Sequence, residues 1–192
     1  MGKLVVTEFI TLDGVIEDPG GSENLDRGGW ALQFDRGEEG NKFKLDEVLH
    51  AEAQLLGRVT YEGFAAAWPS RTDEFGFAER MNTMPKYVVS STLKDLTWDN
   101  STRIDGDVAE EVAKLKEQVA GEILVAGSAM LVRALVENDL VDELRLMVFP
   151  TVLGGGKRLF GESASAKTFG LVESRPVGDD GVVILTYEPA KS

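Results

Sequence analysis

The stretch LLGRVTYE at residues 55–62 predicts a turn between a buried strand and a helix. The strand ends at Gly57, Arg58 follows it, and Thr60 stands where the helix begins. Backbone N–H groups at the start of a helix bind anions, and a glycine lets a phosphate come close. Arg58 can add a bidentate contact to such a phosphate. The alternative interpretation is an ordinary helix cap followed by an exposed arginine.

The stretch ILVAGSAML at residues 123–131 repeats this arrangement. A buried strand leads through small residues to Ser128, whose hydroxyl we expect to cap the next helix. Ala126 and Met130 replace the glycines of a hydrolase nucleophile turn, so Ser128 is not expected to be a nucleophile. Ligands of open α/β sheets bind beyond the carboxyl ends of the strands. Two such turns therefore predict a phosphorylated ligand, such as a nucleotide.

Three consecutive glycines lie within FPTVLGGGKRLF at residues 149–160. The pair Gly156 and Lys157 suggests a phosphate-binding P-loop. That interpretation fails because Thr151 replaces the first glycine and Arg158 replaces the serine or threonine. A flexible bend between strands and a segment that approaches a ligand closely both stay open.

Strand and helix patterns alternate along most of the chain. Strands are predicted over residues 4–12, 53–56, 86–90, 102–104, 122–126 and 142–149, and helices over residues 38–52, 60–67, 73–81 and 107–120 and from 128 onward. Residues 168–173 and 182–188 are predicted to form an antiparallel pair. These patterns predict a single α/β domain over residues 1–192. It has three layers, with a mostly parallel central sheet and an antiparallel C-terminal hairpin.

Composition excludes several classes of function. Asp and Glu number 33 against 20 Lys and Arg, giving a net charge of −13, so we expect neither nucleic-acid nor membrane binding. The chain has no cysteine and one histidine, His50, which argues against a metal site. It shows no leader pattern and no apolar run of roughly 18 residues, and we expect a cytoplasmic protein.

Five segments together resemble the dihydrofolate reductase superfamily, most closely the branch that includes the reductase domain of the riboflavin-biosynthesis deaminase–reductase. They are residues 11–16 (TLDGVI), 57–62 (GRVTYE), 88–91 (VVSS), 123–130 (ILVAGSAM) and 150–156 (PTVLGGG). The resemblance covers nearly the whole chain. It implies a dihydrofolate reductase-like fold and NADPH as the hydride donor.

The resemblance also implies which residues bind the cofactor. They are Gly57, Arg58 and Thr60 near the phosphates, Ser90 and Ser91 at the adenosine end, Gly127, Ser128, Ala129 and Met130 at the pyrophosphate, and Ile16 in the loop over the nicotinamide. Within this set, Arg58 would contact the 2′-phosphate.

The substrate side is expected around the first loop and the glycine bend, at Trp30, Leu153, Gly154 and Gly155. Asp13 is the acid that we expect to contact the substrate or relay a proton, and a purely turn-forming Asp is the alternative. Dihydrofolate reductases place an acid near the position of Asn41, with Asp35, Glu38 and Glu39 as possible substitutes here. Riboflavin reductase domains carry a glutamate where this chain has Ala126.

The expected function is that of an NADPH-dependent reductase. It would transfer hydride to a C=N or C=O bond of a small pyrimidine-, pteridine- or ribosylamine-like substrate. The alternative is a non-catalytic nucleotide-binding protein of the same fold. A homodimer is expected, because the related reductase domains pair, with residues 144–149 as the interface strand.

Overall fold

A computed structural model describes residues 1–162 and 165–190 of the chain. The strands are β1 (Lys3–Thr11), β2 (Ala51–Gly57), β3 (Lys86–Val89), β4 (Ser101–Ile104), β5 (Glu122–Ala126), β6 (Glu143–Phe149), β7 (Phe169–Val177) and β8 (Val182–Pro189). The helices are α1 (Gly37–His50), α2 (Arg58–Ala67), α3 (Phe77–Thr83), α4 (Val108–Gln118) and α5 (Ala129–Glu137), with a short 3₁₀ turn at Trp30–Gln33.

All eight strands form one sheet in the order β4-β3-β2-β5-β1-β6-β8-β7. The pairs from β4 to β6 are parallel, and β8 is antiparallel to both β6 and β7. The prediction of a mostly parallel sheet with an antiparallel C-terminal hairpin is confirmed. Two strands pair with β2 and two with β1, so the carboxyl ends of β2, β5 and β1 lie side by side.

Helices cover both faces of the sheet. On one face, Val112 and Leu115 of α4 and Leu135 of α5 pack with Val6 and Val125 of the sheet. On the other face, the apolar cluster includes Val48 of α1, Tyr61 of α2, Met81 of α3 and Leu124 of β5. The three-layer architecture follows from these two cores, because each helix buries one apolar stripe against the sheet.

Several element boundaries differ from the predicted ones. Strand β2 begins at Ala51, directly after α1, which ends at His50. Helix α3 begins at Phe77 and not at Asp73, because the Asp73 carboxylate accepts hydrogen bonds from the N–H groups of Phe75, Phe77 and Ala78 and forms a turn before the helix.

The predicted interface strand at residues 144–149 is wrong as a free edge. These residues belong to β6, which pairs with β1 on one side and with β8 on the other. Both rows of its backbone hydrogen-bonding groups are therefore used inside the sheet. The outer strands of the sheet are β4 and β7.

Within the described residues, no helix is both long enough and apolar enough to cross a membrane.

Candidate functional site

The two glycine turns predicted from the sequence lie against each other. Strands β2 and β5 are parallel neighbours, with Leu55 opposite Val125, so the turns that follow them leave the sheet at the same edge. The Ser128 hydroxyl accepts a hydrogen bond from the Gly57 N–H at 2.8 Å and donates one to Thr60 Oγ1 at 2.9 Å. One side chain thus connects the two turns.

Ser128 does not cap its helix in the way that the sequence predicts. It occupies the position before α5 with a left-handed backbone (φ 60°), and its side chain makes no capping hydrogen bond. The hydroxyl is directed to the neighbouring turn instead. The first N–H groups of α5, which no helical carbonyl can satisfy, therefore have no side-chain cap and can receive an anion.

The close packing of the two turns requires a glycine at position 127, and a ligand that approached this backbone closely would require it too. Its φ is +62°, and an added Cβ would lie 2.8 Å from Thr60 Oγ1. An added Cβ at Gly57 would lie 3.0 Å from the Ser128 hydroxyl oxygen. Side chains at these positions would separate the turns, so a bulky substitution at Gly127 tests folding and ligand binding together.

A groove of about 420 Å³ runs along the joined turns. It brings together most of the predicted cofactor-binding residues: Ile16, Gly57, Arg58, Thr60, Gly127, Ser128, Ala129 and Met130. Sequence reasoning missed the other lining residues, which are Glu17, Glu23, Val59, Val89, Val108, Leu131, Ala134 and Lys157. Val59 and Met130 are exposed, so the groove offers apolar surface beside its backbone donors.

Both basic side chains of the groove are paired with acids. Arg58 Nη1 lies 3.0 Å from Glu62 Oε2, one helical turn away on α2. Lys157 Nζ lies 3.3 Å from Glu17 Oε1. Because the Arg58 and Glu62 side chains are about half exposed, the pair is weak, and a bound phosphate can compete for the guanidinium.

The structure does not bring Ser90 and Ser91 into the groove. The Ser90 hydroxyl accepts hydrogen bonds from the N–H groups of Thr92 and Leu93, at 3.2 and 3.0 Å, and so closes the turn after β3. Ser91 is exposed. Val89, the last residue of β3, lines the groove at this end.

Asp13 holds the glycine bend in place. Its carboxylate accepts hydrogen bonds from Thr11 Oγ1 at 2.6 Å, the Gly154 N–H at 2.8 Å and the Leu153 N–H at 3.2 Å. These donors, the Thr11 hydroxyl above all, lower the pKa of Asp13 to about 2. Asp13 is therefore a carboxylate at neutral pH, and the expected role as a proton relay does not fit this state.

The predicted substrate residues separate into two groups. Leu153, Gly154 and Gly155 line a second cavity of about 480 Å³, together with Gly156 and residues 25–27. The Arg27 guanidinium, which lies in this cavity, donates a hydrogen bond to the Leu153 carbonyl.

Trp30 was expected to line the substrate side, and the structure places it in the core. The residue is only 1% exposed, and its ring packs edge-on against Phe149 with centroids 5.5 Å apart. Its indole N–H donates a hydrogen bond to the Glu17 carbonyl at 2.8 Å. Trp30 thus stabilises the first loop by packing and by this hydrogen bond, and it is too buried to contact a ligand.

The family model for the RibD C-terminal domain matches residues 2–183. The chain belongs to this family. Among curated proteins, the uncharacterized protein YyaP of Bacillus subtilis (strain 168) is 28% identical over 189 residues, covering 96% of this chain and 94% of YyaP. YwjB of the same organism, also uncharacterized, is 29% identical over 160 residues, covering 83% of each chain.

Solved structures share the fold of this RibD C-terminal domain. A putative riboflavin biosynthesis protein from Shewanella sp. PV-4 has a TM-score of 0.69 and 23% identity, covering 98% of this chain and 99% of that chain. Dihydrofolate reductase from Enterococcus faecalis, complexed with NADP(H) and RAB-propyl, has a TM-score of 0.65 and 18% identity. The match covers 98% of this chain and 97% of that chain. Acinetobacter baumannii RibD has a TM-score of 0.62 and 16% identity, covering 100% of this chain and 59% of that chain.

The acid expected near the start of α1 does not reach the groove. Asp35 accepts a hydrogen bond from the Gly37 N–H, and Asn41 accepts one from Arg36, both in exposed positions. The buried acid of this helix is Glu47, which accepts from the Thr7 hydroxyl at 3.0 Å and pairs with Lys44. Glu38 and Glu39 lie in the first turn of α1.

Sequence reasoning also missed Glu8, a buried acid in the middle of β1. The backbone N–H of Gly127, a residue that lines the groove, donates a hydrogen bond to its carboxyl, but Glu8 itself is not among the lining residues. A charged residue inside an otherwise apolar run, residues 4–12, was the signal that could have identified it.

Replacing Ser128 with Ala is expected to loosen the joined turns. The Gly57 N–H and the Thr60 hydroxyl both lose their partner, and a polar group left without one costs about 1–3 kcal/mol. The free energy of unfolding from denaturant titration should fall by that amount. The matched control is Ser91→Ala, an exposed serine outside the groove, which should leave stability unchanged. Equal stability of Ser128→Ala and wild type would contradict the assignment.

Proposed function

We propose that this RibD C-terminal domain is an NADPH-dependent reductase. The observation that carries the proposal is the groove in which an uncapped helix start, two close-packed glycine turns and Arg58 meet. Helix starts and arginines are suited to phosphate groups, and exposed Val59 and Met130 are suited to flat apolar rings. The structural neighbour from Enterococcus faecalis, a complex with NADP(H), supports the same choice.

The residues present fit this cofactor. The first N–H groups of α5, at Ala129 and Met130, would receive the pyrophosphate, and Arg58 would receive the 2′-phosphate. The Gly127 N–H already donates to Glu8, so Gly127 would admit the ligand by its lack of a side chain. Ile16 would lie near the nicotinamide end. When bound, the cofactor supplies the hydride.

The substrate class is a small molecule with a C=N or C=O bond, of pyrimidine, pteridine or ribosylamine type. The cavity at Leu153, Gly154 and Gly155 is the proposed entrance for it. Asp13 acts on this side indirectly, because its carboxylate fixes the backbone of residues 153 and 154. It is a positioning residue in this proposal.

Arg58 should make the protein prefer NADPH to NADH. A charge-assisted hydrogen bond contributes about 1.5–3 kcal/mol, which corresponds to about ten- to a hundredfold in affinity. Arg58→Ala should weaken NADPH by about that factor and leave NADH nearly unchanged. Titration of nicotinamide fluorescence measures both affinities. Equal affinity of the wild type for the two cofactors would disprove the role of Arg58.

The ion pair between Arg58 and Glu62 allows a second test, in which the expected change in NADPH affinity is opposite to that of Arg58→Ala. Glu62→Gln removes the competing carboxylate without removing the guanidinium. This variant should bind NADPH more tightly than the wild type does, because the guanidinium no longer has a competing carboxylate and one negative charge near the phosphate is removed.

Reductase activity is tested by NADPH oxidation against a panel of dihydropterins and ribosylaminopyrimidines. We expect absorbance loss of NADPH that depends on one member of the panel. Tight NADPH binding with no turnover on any member would favour the alternative function, a nucleotide-binding protein without catalysis.

We further propose a homodimer that uses β7 in place of the interior strand β6. Strand β7 is an outer strand whose Leu171 and Val172 are 55% and 59% exposed, and exposed apolar residues on an outer strand favour pairing with a second copy. Light scattering at micromolar concentration should give twice the chain mass of 20.9 kDa. Val172→Lys should return a single chain. A wild-type particle of 20.9 kDa would contradict the dimer.

A further inference from the structure

The second cavity, of about 480 Å³, adjoins the groove. The first loop, residues 16–27, and the glycine bend, residues 153–157, each contribute lining residues to both spaces. An added Cβ at Gly156 would lie 3.4 Å from Glu17 Oε2, which belongs to the groove, and 3.5 Å from Leu25 Cδ2, which belongs to the cavity. A molecule held at the nicotinamide end of the groove can therefore extend into the cavity.

Arg27 is the basic side chain of this cavity. The basic side chains of the groove, Arg58 and Lys157, each form an ion pair with a glutamate. The chain has 33 Asp and Glu against 20 Lys and Arg, yet none of the described acids pairs with the Arg27 guanidinium. Its Nη1 donates one hydrogen bond, to the Leu153 carbonyl. A guanidinium has five N–H donors, so most of them remain available in this exposed side chain.

The hydrogen bond to Leu153 holds the guanidinium against the glycine bend. An added Cβ at Gly154 would lie 3.9 Å from Arg27 Nη1, so the cation lies beside backbone that carries no side chain. A ligand that contacts the guanidinium can therefore also approach the backbone of the bend.

The backbone of the bend provides further donors. Three of its N–H groups already donate to carboxylates, those of Leu153, Gly154 and Lys157. The N–H groups of Gly155 and Gly156 have no acceptor within the part of the chain that the structure describes. Gly154 and Gly156 have φ values of +75° and +108°, and consecutive N–H groups in turns that include left-handed residues form concave sites for anions.

Two carboxylates oppose an anion in this cavity, and they do so unequally. Asp13 accepts hydrogen bonds from Thr11 and from the bend, and Arg158 Nη2 lies 3.7 Å from its Oδ2. Asp26 lines the cavity beside Arg27 and has no ion pair with a described residue. The uncompensated charge of Asp26 therefore lowers the affinity for an anion, and removing this charge should raise it.

We propose that Arg27 and the free N–H groups of the bend bind an anionic group of the substrate, a phosphate or a carboxylate, a role that rests on the proposed reductase function. A guanidinium binds either group through two parallel hydrogen bonds, and the N–H groups of Gly155 and Gly156 can serve a further lone pair. The substrate is then a ring with an anionic side chain. The ring lies at the nicotinamide end of the groove and the anion lies in the cavity. Arg27 determines specificity and takes no part in the hydride transfer.

The first measurement needs neither cofactor nor turnover. Phenylglyoxal modifies free guanidinium groups, and peptide mass spectrometry locates each modified arginine. Inorganic phosphate should slow the reaction at Arg27 relative to potassium chloride of equal ionic strength, because bound phosphate covers the guanidinium. The control is Arg71, which is exposed and lines neither cavity, and it should react equally fast in both salts. Equal rates at Arg27 in the two salts would overturn the proposal.

The same experiment separates this proposal from the cofactor assignment. NADPH should slow the modification of Arg58 and leave that of Arg27 unchanged. Failure of NADPH to protect Arg58 would contradict the proposed cofactor site. The effect of phosphate on Arg27 would still decide whether the cavity binds an anion.

The second measurement compares substrates that differ in the anionic group. Each dihydropterin or ribosylaminopyrimidine of the panel is assayed for NADPH oxidation in a neutral form, a phosphorylated form and a form that carries a carboxylate. An anionic form should have a KM about tenfold lower than the neutral form, the lower end for a charge-assisted contact because Arg27 is exposed. The anionic form with the lower KM identifies the group that the cavity selects.

Variants assign this difference to the cavity. Arg27→Gln should raise the KM of the anionic form to that of the neutral form and leave kcat nearly unchanged. Lys94→Gln removes the same charge from an exposed position outside both cavities and should keep the wild-type difference. Asp26→Asn should lower the KM of the anionic form further.

Three results would overturn the role of Arg27. The first is an equal KM of the wild type for the neutral and anionic forms. The second is an equal rise in KM for both forms in Arg27→Gln, since a residue that only supports the bend would affect both. The third is a wild type that binds NADPH and reduces no member of the panel, which would overturn the reductase function as well. In that case, protection of Arg27 by phosphate would still distinguish an anion site from none.

Discussion

The contact of the Ser128 hydroxyl with Gly57 and Thr60 is the constraint on which the candidate site depends. Two βα turns that are remote in sequence are held together by one donor and one acceptor, at 2.8 and 2.9 Å. The contact is possible only because glycines stand at 57 and 127, where a Cβ would meet the opposite turn. The groove is the space left where these turns leave the sheet, so its shape follows from the packing of backbone on backbone.

The central position of β1 determines what lies beneath that groove. Because β1 is inserted between β5 and β6, the residue after Thr7 reaches the turn at Gly127. The same pairing places the end of β1 beside Phe149, where the next loop begins. The topology of the sheet therefore connects the first strand, the turn at Gly127 and the glycine bend through backbone pairing.

The fold and much of the groove could be predicted from the sequence because their signals are local. A strand, a glycine and a helix start are read within a few residues, and both turns at 57 and 127 follow that rule. The roles of Trp30, Ser90 and Ser128 could not be read in this way. Whether an indole is buried, or which N–H groups a hydroxyl receives, depends on segments that are distant in the chain.

The misplacement of the interface strand has the same cause. Residues 144–149 have the apolar composition of either a central or an outer strand, and composition does not tell which neighbours a strand acquires. The position of β6 in the sheet is determined by β8, which pairs with it in antiparallel orientation. Because β7 pairs with β8 in turn, the outer strand on this side is β7. Its exposed Leu171 and Val172 give no sequence signal, because isolated apolar residues on a surface are common.

The proposed function requires a protein with a net charge of −13 to bind the phosphate groups of a cofactor. The side-chain cations of the groove, Arg58 and Lys157, are each matched by a carboxylate, so they contribute little net positive field. The helix start of α5 has no capping hydrogen bond from the Ser128 side chain, so its first backbone N–H groups can attract an anion. For the phosphates of the proposed cofactor, the backbone dipoles at the start of α5 would therefore act together with Arg58 once its guanidinium leaves Glu62.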